Sequence, residues 1–261
     1  MKQRLLTAII GILIVVPIIL YGRWPFFLLT YLLATVALFE LIRMYSPKKH
    51  IIYLIISSVF LWTLLHPSTN IIISNFDFSK FDLIILYIAI LLFLTVLSKN
   101  QFTFDHASFL LFATVYIGTA FYFLIITRLE GLNYFLFILF IIWATDTGAY
   151  FIGKFFGKRK LWPKISPNKT IGGAIGGIIF ALLIGALFQF IYPFEKSFHF
   201  ILIISVFISI MGQLGDLIAS AIKRHYHVKD SGKIFPGHGG ILDRMDSLLF
   251  VLIMLHIFKF L

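Results

Sequence analysis

The chain has 261 residues, of which 60% are hydrophobic and only 13% charged, with no cysteine and a net charge of +11. A soluble domain of this length needs about twice that charged fraction to cover its surface, and without cysteine neither a disulfide framework nor a thiolate metal site can form. Apolar runs approaching the roughly 20 residues that cross a bilayer recur along the whole sequence, so this is an integral membrane protein, and the runs are too long and too often broken by Pro, Gly and charge for a membrane β-barrel.

Bilayer spans of this kind must be helices, because a backbone group left unpaired in hydrocarbon costs several kcal/mol. The apolar runs place them at 5–22, 25–42, 51–66, 82–98, 108–127, 132–152, 171–192, 199–220 and 242–260. The expected fold class is therefore all-α: a polytopic membrane protein with about nine transmembrane helices and a cytoplasm-facing polar cleft in its C-terminal half. MKQR followed by the run from Leu5 to Leu20 has the outline of a signal peptide. YGRWPF follows instead of a small-residue cleavage site, so the run reads as an uncleaved first span.

Charge tests the count. With the N-terminus inside, the inner segments hold Lys2, Arg4, Arg43, Lys48, Lys49, Lys99, the six basic residues from Lys154 to Lys169, and Lys223, Arg224, Lys229, Lys233 and Arg244. Only Arg23, Lys80, Arg128, Lys196 and Lys259 fall outside. That asymmetry is what retention of Lys and Arg on the cytoplasmic side produces. Membrane topology thus accounts for most of the positive charge, and no nucleic-acid partner is expected. The 153–170 and 221–241 loops are two spans apart and both face the cytoplasm.

Polar groups are spread unevenly. Residues 1–130, an N-terminal membrane region of about five spans, carry few within their spans; Glu40, near the end of the second, is the main exception. Residues 131–261 form a second region of about four spans and two motif loops, in which polar and glycine-rich features become dense. Asp146 lies in FIIWATDTGAYFIG, where an isolated carboxylate costs about 2.5–3.5 kcal/mol on insertion scales. A carboxylate at such depth marks function by default, unless the span boundary is misplaced by a turn. The loop GKFFGKRKLWPKISPNKTIGG follows. Lys158, Arg159 and Lys160 suit attraction to lipid headgroups, whereas Ser166, Asn168, Lys169 and Thr170, just before a helix, suit an anion held at a helix N-terminus. GGAIGG at 172–177 spaces glycines four apart, which favours close helix packing, either within the chain or between the protomers of a homodimer.

In MGQLGDLIAS the carboxylate of Asp216 raises the same question as Asp146. Asp216, Ser220 and Lys223 recur at i, i+4 and i+7, on one helix face, with Arg224 beside them. A structural ion pair from Asp216 to Lys223 or Arg224 is the plain alternative to a functional cleft. Next comes PGHGG, whose glycines let main-chain N–H groups approach an anion; it contains His238, Gly239 and Gly240. His238 could touch phosphate, bind metal or only fill the turn. LDRMDS places Asp243 and Asp246 three apart at the start of the last helix, on one face. One aspartate there is explained as a helix cap, the second is not, and paired carboxylates with open positions suit Mg²⁺ bound together with substrate phosphates. No G-x-x-x-x-G-K-[ST] motif is present, so no P-loop holds the nucleotide, and no Ser-His-Asp arrangement supports acyl transfer. Acidic metal candidates, cations and glycine turns at one membrane face point to phosphoryl or nucleotidyl transfer onto a lipid. An ion-coupled transporter fits less well, since no internal repeat is visible and the charges gather at one face.

The stretch S-A-I-K-R-x4-K-D-S-G-x2-F-P-G-H-G-G-I-L-D-R-M-D, residues 220–246, resembles the signature of the phosphatidate cytidylyltransferase (CDP-diacylglycerol synthase) family. The likeness extends to WATDTGAYFIG and ISPNKTIGG, so it covers about residues 140–247. The resemblance implies that CTP and phosphatidic acid give CDP-diacylglycerol and pyrophosphate, that Mg²⁺ is required, with a second cation left open, and that the enzyme sits in the bacterial inner membrane with its site facing the cytoplasm. It further implies metal or nucleotide roles for Asp230, Asp243 and Asp246, and less securely for Asp146 and Asp216. On this expectation Lys223, Arg224, Lys229 and Arg244 stabilise phosphate charge, while Lys169 and the SPNKT segment, with Ser220 and the PGHGG turn, hold the nucleotide. A polyprenol or another phosphate lipid is the alternative acceptor.

Overall fold

The computed structural model describes residues 2–48, 50–68, 70–73, 76–232, 234 and 239–260. Among them the helices run α1 (Lys2–Tyr21), α2 (Arg23–Tyr45), α3 (His50–Leu65), α4 (Lys80–Leu97), α5 (Phe104–Glu130), α6 (Leu132–Phe156), α7 (Ile171–Ile191), α8 (Phe198–His225) and α9 (Leu242–Ile257). Each coincides with one expected span. By length and hydropathy, α2, α4, α5, α6, α7 and α8 can each cross a membrane, and α3 is a shorter apolar helix. The protein is thus an all-α, multi-pass membrane protein with two small additions that hydropathy did not announce. Strands β1 (Asn70–Ile73) and β2 (Phe76–Ser79) pair antiparallel, as do β3 (Lys160–Trp162) and β4 (Ser166–Thr170).

Two compact units can be distinguished, one of Met1–Ile126 with Ser231–Leu242, the other of Thr127–Asp230 with Asp243–Leu261. In the first, Leu38, Leu41 and Ile42 of α2, Leu61 and Leu65 of α3, Tyr87 and Leu91 of α4, and Leu110, Ile117 and Phe121 of α5 are buried. Ser57, Tyr87 and Thr114 pair with one another, as burial favours: Ser57 Oγ lies 2.9 Å from Tyr87 Oη, which lies 3.1 Å from Thr114 Oγ1. Helix α4 starts on a capping box, with the Ser79 hydroxyl accepting from Asp82 N–H and the Asp82 carboxylate accepting from Ser79 N–H at 2.9 Å. That reciprocal pair satisfies two of the donors a helix start leaves open.

In the second unit the spacing of GGAIGG is used within the chain. A Cβ at Gly148 would lie 2.7 Å from the Gly176 carbonyl oxygen, and one at Gly173 would lie 2.8 Å from the Ala149 carbonyl oxygen. The backbones of α6 and α7 therefore run in direct contact, as small residues allow in a membrane. Gln213 on α8 donates to the Ala174 carbonyl of α7 at 3.3 Å, and Thr127 Oγ1 meets His256 Nε2 of α9 at 3.1 Å. These contacts fix α6, α7 and α8 closely enough for short side chains to meet.

Candidate functional site

The SPNKT segment is strand β4, and it ends by capping α7. Thr170 is buried, and its hydroxyl accepts the Gly173 N–H at 3.0 Å. The helix start that the sequence offers to an anion thus has one of its donors satisfied internally. The residue before it carries the charge: Lys169 Nζ lies 2.6 Å from Asp216 Oδ2 on α8 and donates to the Gln213 carbonyl at 3.4 Å. Ser220, one turn further along α8, donates to Asp216 Oδ1 at 3.3 Å, so the face shared by Asp216 and Ser220 is real. Ser166 is half-buried and Asn168 exposed on the same hairpin.

The partner of Asp216 differs from the one its spacing on α8 offers. Lys223 turns instead to α9, where its Nζ lies 2.6 Å from Asp243 Oδ1. Spacing along one helix identifies which residues share a face, but a lysine reaches a neighbouring helix as easily as its own. The Lys223–Asp243 pair is the more enclosed, with side chains 13% and 9% exposed, against 25% and 34% for Lys169 and Asp216. Arg224 faces outward and donates to the Val228 carbonyl at 3.3 Å, closing the turn after α8. Lys229 and Asp230 are exposed in that turn, and Arg244 is exposed in the first turn of α9.

Asp246 is 9% exposed, and one of its oxygens accepts the Ser247 N–H at 2.8 Å. It lies within electrostatic reach of Asp216, Asp146 and Lys223, as Asp146 does of Asp216 and Lys169. Asp146 is exposed on α6. The approach of α8 to α9 depends on Gly215: a Cβ there would fall 2.8 Å from the Asp246 carbonyl oxygen and 2.8 Å from Phe250 Cβ. The residue after Gly215 is Asp216, so this close approach of the two helices lies beside both carboxylates. Gln213 and Gly215, neither singled out by charge or motif, are the residues that sequence reasoning missed; their only trace is their place in MGQLGD, three positions and one position before Asp216.

The unit therefore gathers Asp146, Asp216, Asp243 and Asp246 with Lys169 and Lys223. Among the described residues no three His, Asp or Glu side chains converge tightly enough to enclose a metal unaided. Mg²⁺ does not require that, because it keeps several waters and takes one or two carboxylates plus substrate phosphates. The donor set, all carboxylate oxygen, fits a hard cation of this kind. Gly239 and Gly240 belong to the other unit; Gly239 has φ +86° and Gly240 is buried. His238 lies outside the described residues.

The family model for the cytidylyltransferase family matches residues 2–261. This chain belongs to the cytidylyltransferase family. It is 46% identical over 255 residues to the phosphatidate cytidylyltransferase of Bacillus subtilis, covering 97% of this chain and 95% of that protein. The phosphatidate cytidylyltransferases of Staphylococcus haemolyticus and Staphylococcus aureus are 46% and 44% identical to it, each match covering 98% of both chains. Full-length similarity means that both units, and not only the charged one, belong to the family's architecture.

Proposed function

We propose that this chain transfers the cytidylyl group of CTP to phosphatidate, giving CDP-diacylglycerol and pyrophosphate. The observation that carries the reading is the alternation of carboxylates and ammonium groups, Lys169–Asp216 and Lys223–Asp243 around Asp246, in a chain of this family. An oxygen of the lipid phosphate bonds to the α-phosphorus of CTP. The bond from that phosphorus to the oxygen bridging to the β-phosphate breaks, and its electron pair leaves on pyrophosphate. Phosphate monoesters have a second pKa of about 6, so phosphatidate is largely dianionic at neutral pH and the nucleophile needs no strong base. The need is for charge neutralisation and alignment.

The residues divide that work. Lys169 and Lys223 bind phosphate oxygens and exchange their carboxylate partners for substrate as it arrives, while Arg224, Lys229 and Arg244 hold the outgoing pyrophosphate. Ser166, Asn168 and Ser220 orient the nucleotide. Asp216 and Asp246, with Asp146 and Asp243 at hand, would hold Mg²⁺. When bound, the ion neutralises triphosphate charge and polarises the phosphoryl oxygens. Asp230 serves the same face of the nucleotide. We place the site at the cytoplasmic side of the inner membrane, with all nine helices spanning, because the basic residues of the 153–170 and 221–241 loops are the retained charges.

The test uses purified protein, CTP labelled at the α-phosphate and phosphatidic acid, with and without Mg²⁺, reading label that enters the organic phase. Mg²⁺-dependent label that is lost in Asp246→Asn supports the reading. Transfer to another phosphate lipid but not to phosphatidate would contradict the acceptor, and no transfer to any would contradict the activity.

A further inference from the structure

Glu40, a charged residue of the first unit that the proposed chemistry leaves unused, is buried, at 1% exposed. Its carboxylate sits on α2 and, among the described residues, accepts from Ser231 Oγ at 2.9 Å, Ile241 N–H at 3.0 Å and Leu242 N–H at 2.9 Å. Those donors stand at the two ends of one segment, Ser231 at its start and Ile241 and Leu242 at its end. Two glycines complete the enclosure, since a Cβ at Gly232 or at Gly240 would meet the Glu40 carboxylate. A carboxylate is acceptor-only, with room for about four hydrogen bonds, so three donors converging on it are an arrangement no amide or hydroxyl side chain reproduces.

We infer that Glu40 is a positioning residue that ties Ser231 to Ile241 and Leu242 and fixes the start of α9. Leu242 is the first residue of α9; Asp243 follows it in the first turn, and Asp246 lies at the start of the next. Two of the anion-seeking N–H groups at that helix start, those of Ile241 and Leu242, are therefore occupied by a side chain of the protein itself rather than by substrate phosphate. The Glu40 carboxylate takes the place an anion takes at a helix N-terminus. The proposal rests on the proposed function only for its kinetic consequence; the anchoring of Ser231, Ile241 and Leu242 to Glu40 stands on geometry.

The test compares the full-length wild type with Glu40→Gln and Glu40→Asp, with Ser231→Ala as a milder fourth protein. In Glu40→Gln, amide hydrogen exchange in peptides covering 239–242 is expected to rise about tenfold or more, the factor carried by loss of a hydrogen bond to a charged group, while the core peptides of α3 and α5 keep wild-type protection. Turnover in cytidylyl transfer is expected to fall about 10–100-fold, as for residues that orient metal-binding groups, with KM for CTP within a few-fold of wild type. Glu40→Asp, which keeps the acceptor, should recover part of both, and Ser231→Ala should lose less than Glu40→Gln in both. Wild-type exchange at 239–242 in Glu40→Gln would overturn the proposal. So would exchange rising equally across α2 to α5, because Glu40 would then support the fold in general. If wild type transfers nothing while the exchange pattern is as expected, the anchor stands and the proposed function fails.

Discussion

At the residue scale, the two lysine–aspartate pairs have equal length but different surroundings. Lys223 and Asp243 are 13% and 9% exposed, so removing one partner leaves a buried, uncompensated charge, and Lys223→Ala is expected to cost about 3 kcal/mol. Lys169 and Asp216 are 25% and 34% exposed, and water screens what remains, so Lys169→Ala should cost about 1 kcal/mol. Denaturation of the two variants in the same detergent checks the order; equal losses would mean that enclosure does not govern these pairs. Activity separates differently from stability. Asp246→Asn preserves shape and is expected to lower turnover about 10²–10³-fold, the scale for loss of one preorganised electrostatic group, with a melting temperature at or above wild type. A folded Asp246→Asn protein with near wild-type turnover would remove Asp246 from the site.

At the scale of elements, the contact of α8 with α9 turns on the absence of a Cβ at Gly215. Both neighbours at 2.8 Å, the Asp246 carbonyl oxygen and Phe250 Cβ, belong to or adjoin the backbone of α9 and cannot swing aside as a side-chain tip would. Gly215→Ala is therefore expected to destabilise the protein by about 1–3 kcal/mol, the range for overpacking, and to reduce transfer more than its stability loss explains. Gly212, with 3.6 Å to its nearest neighbour, should accept alanine nearly silently. A Gly215→Ala protein as stable and active as Gly212→Ala would show that α8 and α9 are free to separate.

The elements also mark how far the sequence could be read. Hydropathy locates apolar runs, and each run became a helix; the seventh, expected at 171–192, is Ile171–Ile191. The eighth runs five residues past its expected end at 220, to His225, because Lys223 and Arg224 stop the apolar run without stopping the helix; basic residues suit a helix C-terminus. The β3–β4 hairpin was not legible, since its residues are polar and few and what pairs them is the return of the chain to α7. The aspartates were legible because carboxylates in apolar runs are costly. Their partners were not, because pairing depends on how neighbouring helices are rotated, which a single helix wheel does not contain. Glu40 lay between these cases: its charge was conspicuous, but Ser231, Ile241 and Leu242 lie some 190 to 200 positions further along the chain.

At the scale of the whole molecule, the account requires the charged loops of residues 153–170 and 221–241 to share one side of the membrane. The chain has no cysteine, so single cysteines report without background. Cysteines at Lys158 and Lys229 should react with a membrane-impermeant maleimide only in inside-out vesicles, and one at Lys196 only in right-side-out vesicles. Lys158 and Lys229 labelling from opposite sides would break the nine-span arrangement and the shared site with it.

The central claim is that the α-phosphorus of CTP becomes bonded to the lipid phosphate, and paired labelling tests it most directly. Purified protein with phosphatidic acid and Mg²⁺ is given CTP labelled in one sample at the α-phosphate and in another at the γ-phosphate. The account predicts α-label in the lipid and γ-label only in pyrophosphate, in equal amounts, with both signals lost together in Asp246→Asn. Entry of γ-label into the lipid would make the reaction a kinase-type phosphoryl transfer and contradict the account.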